Sequence, residues 1–323
     1  MTRVAELVGA EAAGEMHRVI AEAFGARPVL DPPAEALAET PESLAVALAA
    51  GSGIVVREDG EALGSLVLER NGDTVTLRRV GVLPRMQGSG VAGELVAAAE
   101  AHARAQGATG MQVVARVELP ASVAFWEHNG FVRSGREGEK LSMTKVFPRT
   151  FTMATPEDAH AFGERLAGLL RAGDLVILAG ELGAGKTTFT KGIGAGLGVR
   201  GDVASPTFVI ARVHPSLVGG PGLVHVDAYR LGSIDELDEL DLEMTMAGAV
   251  TVVEWGAGLA EGLAEDRLEI DIVRTLGDVA SIEDTDERQV VIRPVGARWL
   301  DVDWSGLAAY GREAQGAPDG GTA

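Results

Sequence analysis

The stretch "LVILAGELGAGKTTFTKGIG", residues 175 to 194, constrains the fold of this 323-residue chain more than any other. An apolar run stops at Gly180, glycines recur at 183 and 185, and Lys186 and Thr187 open a helix-like pattern. Gly180, Gly185, Lys186 and Thr187 fill the spacing G-x-x-x-x-G-K-[ST], set between the strand and the helix that this spacing requires. Glycine tolerates positive φ, so successive N–H groups converge with the helix N-terminus on one concavity that takes phosphate oxygens. Lys186 adds a mobile charge for the β- and γ-phosphates, and the Thr187 hydroxyl is placed to ligate Mg²⁺.

A nucleotide site also needs acids at neighbouring strand ends. Asp227 closes "LVHVD" and Glu254 closes "AVTVVE". Asp227 could serve as a helix cap and Glu254 as a surface acid, but an ionisable group ending a buried strand usually faces the crevice at the sheet's carboxyl edge. His225, in the same strand, reads as a satisfied core histidine. "LVILAG", "LVHVDAY" and "AVTVVEW" are the near-continuous apolar strands of a sheet covered on both faces. "TPEDAHAFGERLAGLLRAG" predicts a helix with Thr155 as N-cap and Gly173 as its stop. Beyond residue 299 the chain becomes rich in Gly, Ala and Pro, and residues 300–323 are expected to be a disordered tail.

The series "GELGAGKTTF", "SPTF" (205–208), "HVDAYR" (225–230), "DELDELDLE" (235–243) and "VVEWG" (252–256) resembles the TsaE family over about residues 150 to 297. The resemblance implies a P-loop ATPase subunit of the bacterial complex that makes threonylcarbamoyladenosine beside the anticodon of tRNA. Its partners there are TsaD and TsaB, so tRNA is met only indirectly. On that reading the ATP-binding residues are Glu181, Leu182, Gly183, Ala184, Gly185, Lys186, Thr187 and Thr188, with Thr155 and Trp255. Thr187, Glu254 and Asp227 would serve Mg²⁺, Asp227 and Glu254 being the catalytic pair. Ser205, Pro206 and Thr207 would form a switch near the γ-phosphate. From the residues alone Trp255 is equally a core residue, Thr207 a strand residue after a proline turn, and "SIDELDELDLEM" a solvated helix face with Ile234, Leu237 and Leu240 inward.

The first half follows another plan. An amphipathic segment from about Ala5 to Phe24 and the short helix "PESLAVALAAG" precede an antiparallel meander, "GIVVRE", "ALGSLVLE" and "TVTLRRVGVL". A second glycine turn, "RMQGSG", then opens the helix "VAGELVAAAEAHARAQG", followed by the strand "MQVVARV", the helix "ASVAFWEHNGF" and the strands "FVRSG" and "KLSMTKV". This turn fits R/Q-x-x-G-x-G/A, and amides at a helix start suit a pyrophosphate. The order of elements resembles the GNAT acetyltransferase superfamily over about residues 1 to 147. The resemblance implies acetyl-CoA held by Arg85, Gln87, Gly88, Ser89 and Gly90, with backbone groups near Val80 and Val82 aligning the thioester. Where that family often has a tyrosine, this chain has Trp126, whose indole cannot protonate a leaving thiolate as a phenol can. Glu118 is either a base acting through water or a surface acid, and His128 is a further candidate. The domain is thus an acetyltransferase without the usual acid, or a module that binds CoA without turnover.

The expected fold class is α/β: a GNAT-like mixed sheet with helices over residues 1–147, then a P-loop NTPase α/β sheet over 150–299. The length suits two domains. The formal charge of −19 is uneven, residues 1–150 holding 15 Lys/Arg against 19 Asp/Glu and the remainder 13 against 28. A second half at −15 repels phosphate backbones, which argues against direct tight nucleic-acid binding. The chain has no cysteine, so disulfides and thiolate metal sites are excluded. Glu6, Glu11 and Glu15 stand where a signal peptide would be apolar, and no stretch reaches 18 apolar residues, so a soluble cytoplasmic protein is expected. Three functions compete: an ATPase of tRNA modification with an appended acetyltransferase-like half, an N-acetyltransferase regulated by a nucleotide domain, and an assembly factor without turnover.

Overall fold

The computed structural model describes residues 3–206, 209–231, 243–274, 287–300, 302–310 and 312–313. The chain divides into two compact units, Met1–Phe147 and Pro148–Ala323.

The first unit is a seven-stranded sheet in the order β1-β2-β3-β4-β5-β7-β6. Its strands are β1 (Arg3–Val8), β2 (Ser52–Glu58), β3 (Glu61–Asn71), β4 (Thr74–Val82), β5 (Gly110–Arg116), β6 (Val132–Glu137) and β7 (Lys140–Val146). All neighbours are antiparallel except β4 and β5. Alternation sends Val55 and Val67 to one face, against Met16, Ile20 and Leu44 of α1 (Ala13–Gly25) and α2 (Pro41–Ala50). Ile54, Val56 and Leu66 face the other way, against α3 (Val91–Ala105) and α4 (Pro120–His128). With both faces covered, β2 and β3 read as near-continuous apolar runs.

Two irregularities in β4 matter for function. Its pairing with β3 slips between Ser65 and Val67, and Arg79, in the bulge, takes φ of +54°, which a non-glycine residue holds only under local constraint. Its pairing with β5 runs only from Thr74↔Gly110 to Leu77↔Val113, although both strands continue. Beyond Leu77 the two strands part.

The second unit is an eight-stranded sheet, β10-β11-β12-β9-β13-β14-β8-β15. The strands are β8 (Arg149–Met153), β9 (Leu175–Ala179), β10 (Ala211–His214), β11 (Gly222–Asp227), β12 (Ala249–Glu254), β13 (Arg267–Arg274), β14 (Arg288–Val295) and β15 (Arg312–Glu313). The middle four, β11, β12, β9 and β13, are parallel, so their carboxyl ends share one edge. Helices α5 (Pro156–Ala167) and α6 (Lys186–Gly196) pack on one face through Phe162, Leu166, Phe189 and Ile193. They approach closely at glycine: a Cβ on Gly192 would lie 2.0 Å from the His160 carbonyl oxygen. The short helix α7 (Glu243–Met246) lies before β12, and Met246 joins Val226 and Val253 on the other face.

The structure corrects three expectations. The segment from Ala5 to Phe24 is not helical throughout, because residues up to Val8 form the edge strand β1 and α1 starts at Ala13. The helix starting after Thr155 stops at Gly168 rather than Gly173, which instead takes φ of +91° in the turn before β9. The 300–323 tail is not disordered throughout: residues 305–310 form a 3₁₀ turn, Trp304 and Leu307 are buried in the main core, and β15 pairs with β8. Residues 314–323 lie outside the described residues.

Candidate functional sites

Sequence dictates the glycine loop at 180–185 directly. Gly180, Gly183 and Gly185 take φ of +138°, +81° and +108°, and a Cβ on Gly180 would stand 2.3 Å from the Ile272 carbonyl oxygen, so only glycine fits there. Gly185 is the N-cap of α6, whose first residues are Lys186, Thr187 and Thr188. Glu181, Leu182 and Gly183 are exposed at the loop's crest, and Ala184 is buried beneath it. Arg288, on β14, braces the loop by donating from Nε to the Ala184 carbonyl at 2.8 Å.

Lys186 is folded back onto its own loop, donating to the carbonyls of Gly180 at 2.7 Å and Glu181 at 2.9 Å. Its Nζ stands 3.5 Å above the Trp255 ring. Burial pushes its pKa down from 10.5, against the upward pull of Glu254 and Asp227. Trp255 follows β12 with φ of +63° and also packs its ring against Tyr229. Sequence left Trp255 either core or wall; its half-buried ring walls the lysine.

Register places the two acids side by side, Asp227 opposite Glu254 at the ends of adjacent parallel strands. Glu254 is buried and accepts three hydrogen bonds: Thr187 Oγ1 at 2.9 Å, Thr190 Oγ1 at 3.1 Å and His225 Nε2 at 2.8 Å. His225 is therefore only half satisfied as a core residue. With Glu254 ionised its Nε2 carries the proton, and Nδ1 is buried without a partner among the described residues. Asp227 accepts from Ser205 Oγ at 2.8 Å and from the Tyr229 amide at 3.1 Å. Ser205 is thus brought to the site and Pro206 is buried beside it, whereas Thr207 lies outside the described residues, as do Ile234, Leu237 and Leu240. Thr155 caps α5, its hydroxyl accepting from the Asp158 amide at 3.1 Å.

Sequence reading missed Thr190 and Arg288. Thr190 could have been found one helical turn after Lys186, on the face that meets Glu254; Arg288, in a distant strand, carried no signal.

In the first unit, residues 84–86 form a 3₁₀ turn and Gly90, with φ of +90°, is the N-cap of α3. Gln87, Gly88, Ser89 and Gly90 line the exposed approach to that helix start, where Arg3 pins the Ser89 carbonyl at 2.7 Å. Arg85 is exposed and paired with Glu61 at 2.6 Å. Val80 and Val82 lie on the part of β4 that has left β5. Where the strands part there is a cavity of about 400 Å³, walled by Thr76 to Val80, Val113 to Arg116, Trp126, Leu30 and residues 32–36.

Trp126 is buried, edge-on to Phe125 and Phe131 with ring centroids at 5.1 Å. Glu118 is bound by the Arg116 guanidinium at 2.8 Å, and that hydrogen bond holds its carboxyl below the usual carboxylate range, which makes it a weak base. His128 is exposed on α4 and does not line the cavity.

A family model described as "Threonylcarbamoyl adenosine biosynthesis protein TsaE" matches residues 153–280, and one described as "Acetyltransferase (GNAT) family" matches residues 17–131. The chain is 60% identical over 147 residues to the tRNA threonylcarbamoyladenosine biosynthesis protein TsaE of Streptomyces coelicolor, covering 45% of this chain and 97% of the relative. It is 39% identical to the TsaE of Bacillus subtilis over 145 residues, 45% of this chain and 84% of that one. Among solved structures, an N-acetyltransferase of Thermoplasma acidophilum in complex with coenzyme A matches at 15% identity and a TM-score of 0.42, over 46% of this chain and all of that one.

Proposed function

The chain belongs to the TsaE family through its second half and carries a GNAT-family domain in its first, and from that premise we propose that it serves tRNA threonylcarbamoyladenosine biosynthesis as an ATP-hydrolysing subunit. The observation that carries the reading is the convergence of Lys186, Thr187, Asp227 and Glu254 on one sheet edge beside a glycine loop. The amides of residues 183–188 hold the phosphates, and Lys186 leaves its loop carbonyls to reach the β- and γ-phosphates. Asp227, steadied by Ser205, orients the attacking water, whose oxygen bonds to the γ-phosphorus as the bond to the ADP oxygen breaks.

One hydroxyl and two carboxylates form the all-oxygen donor set that Mg²⁺ takes. Thr187, Asp227 and Glu254 are the residues that would hold it. Bound there, Mg²⁺ supplies neutralisation of the phosphate charge.

Hydrolysis resets a partner transferase of the TsaD type, with TsaB, between rounds. ATPase rates measured with and without both partners, for wild type and Lys186→Ala, test this. The expected outcome is stimulation by the partners that the variant lacks; equal rates for the two proteins in the complex would refute it.

The parting of β4 from β5 favours a second activity in the first half, acetyl transfer from acetyl-CoA. Amides of residues 87–90 seat the pyrophosphate and the freed backbone near Val80 and Val82 aligns the thioester. With Trp126 in place of a phenol, the sulfur leaves as a thiolate without an acid from that position. Calorimetry of the full chain with acetyl-CoA should give heat; none at millimolar ligand overturns this reading. No helix among the described residues is long and apolar enough to cross a membrane.

A further inference from the structure

The cavity between the end of α1, Leu30, residues 32–36 and the parting strands holds one guanidinium without a carboxylate partner among the described residues. Five cations line it, Arg27, Arg78, Arg79, Arg116 and Lys140. Four are matched: Arg78 by Glu69, Arg79 by Glu39, Arg116 by Glu118 at 2.8 Å and Lys140 by Glu35 at 2.8 Å. Arg27 has no carboxylate partner among the described residues. It gives one N–H to the Val80 carbonyl at 3.1 Å and lies over the Phe24 ring at 3.8 Å.

A guanidinium partly withdrawn from water without a counter-ion is unfavourable, and here burial pushes its pKa down. The donors of its planar fork that Val80 does not take match the two oxygens of a carboxylate. In a chain of net charge −19, a guanidinium in a cavity without a carboxylate partner does not follow from composition. The outer wall is also tied in place rather than loose, since Arg116 donates to the carbonyls of Pro32 at 2.9 Å and Asp31 at 3.0 Å. The volume, about 400 Å³, falls within the range of small-molecule sites.

We propose that this cavity is the acetyl-acceptor site and selects a primary amine carrying a carboxylate near the nitrogen, free or at the amino end of a peptide, with Arg27 taking the carboxylate. The inference rests on the reading of the first half as an acetyl-CoA-dependent transferase. Because Arg27 is bonded to Val80, beside the backbone that aligns the thioester, a carboxylate held by its fork brings the neighbouring amine to the reacting carbonyl. The amine nitrogen then bonds to the acetyl carbon, the C–S bond breaks, and the proton lost by nitrogen ends on the CoA sulfur.

The test uses the full chain, acetyl-CoA and two arms of matched amines: glutamate against glutamine amide as free compounds, and a tetrapeptide headed by aspartate against one headed by asparagine. CoA thiol release is read, with calorimetry of each amine on the acetyl-CoA-loaded protein. In at least one arm the carboxylate member should exceed its neutral partner by at least about tenfold in kcat/KM or affinity. Arg27→Gln should bring that ratio towards one, and Arg27→Lys should restore part of it, with unchanged far-UV circular dichroism. Equal use of both members in both arms, a ratio that survives Arg27→Gln, or no binding and no turnover with any carboxylate by protein that does take up acetyl-CoA would overturn the inference alone. Absence of acetyl-CoA binding would instead overturn the reading beneath it.

Discussion

Replacing Glu254 by glutamine separates the structural from the functional duty of one buried side chain. The carboxylate, 2% exposed, accepts from Thr187, Thr190 and His225. Hydrogen bonds to a charged acceptor contribute about 1 kcal/mol more than neutral ones, so three of them lose on the order of 3 kcal/mol when the charge is removed. Against this, an amide is relieved of a desolvation cost of several kcal/mol that an ionised carboxylate bears at that depth. The amide NH₂ also needs an acceptor, which His225 can provide by moving its proton to Nδ1, the nitrogen now without a partner. The two contributions nearly cancel, and the net change in unfolding free energy should stay within about 2 kcal/mol. The site, however, loses a formal negative charge next to Thr187. Even an outer partner costs a metal site roughly 10- to 100-fold in affinity when removed, so Mg²⁺-dependent nucleotide binding should fall by at least that much. Urea unfolding of the metal-free protein and titration of a fluorescent ATP analogue with and without Mg²⁺ measure the two quantities. A variant that keeps its Mg²⁺-dependent affinity makes Glu254 a purely structural residue, and one whose apo form loses more than about 4 kcal/mol refutes the cancellation.

Three further outcomes follow from packing and charge. Trp304→Ala removes a ring packed 6.1 Å from Trp299 and should cost about 3–5 kcal/mol in urea unfolding; a change below about 1 kcal/mol would return residues 302–310 to the status of a tail. Gly192→Ala forces a methyl against the His160 carbonyl and should destabilise the second unit by about 1–3 kcal/mol, whereas a neutral result would mean that α5 and α6 are further apart than described. Burial raises the pKa of Glu100, but Lys145 at 2.7 Å and Arg104 at 2.8 Å outweigh it and leave it below 4.5. A carboxyl depressed in the folded state contributes stability above its unfolded value and loses it as pH falls through the folded one. Unfolding followed from neutral pH to below pH 4.5 should therefore show a steeper acid loss in wild type than in Glu100→Gln, and parallel curves would contradict the pairing.

The second half was largely legible because its chemistry is local. Glycines with positive φ, a lysine and two strand-end acids each leave a mark in a few consecutive residues, and parallel register then brings Asp227 and Glu254 together without further information. Features made by distant residues were not legible. Arg288 reaches Ala184 across 104 positions, and Arg27 meets Val80 only because β4 bulges at Arg79 and leaves β5. The edge strand β1 escaped notice because both its faces are largely exposed, which erases the alternation that betrays a strand. Composition misread the region after residue 299, where Trp304 and Leu307 join Trp299 in the core despite the glycines around them. Trp126, which the sequence marks only by its lack of a phenol, is buried and packs edge-on against Phe125 and Phe131.

β15 pairs with β8, Glu313 opposite Phe151 and Arg312 opposite Thr152. The point where the chain enters the second sheet and the last of its described strands are thus adjacent rungs of one ladder. A module whose entrance and exit are neighbours can be prefixed, inserted into a host loop or circularly permuted without disturbing its strand order. The first unit, joined through Phe147 and Pro148, occupies one such doorway, and the same arrangement makes the second unit a portable part for engineered fusions.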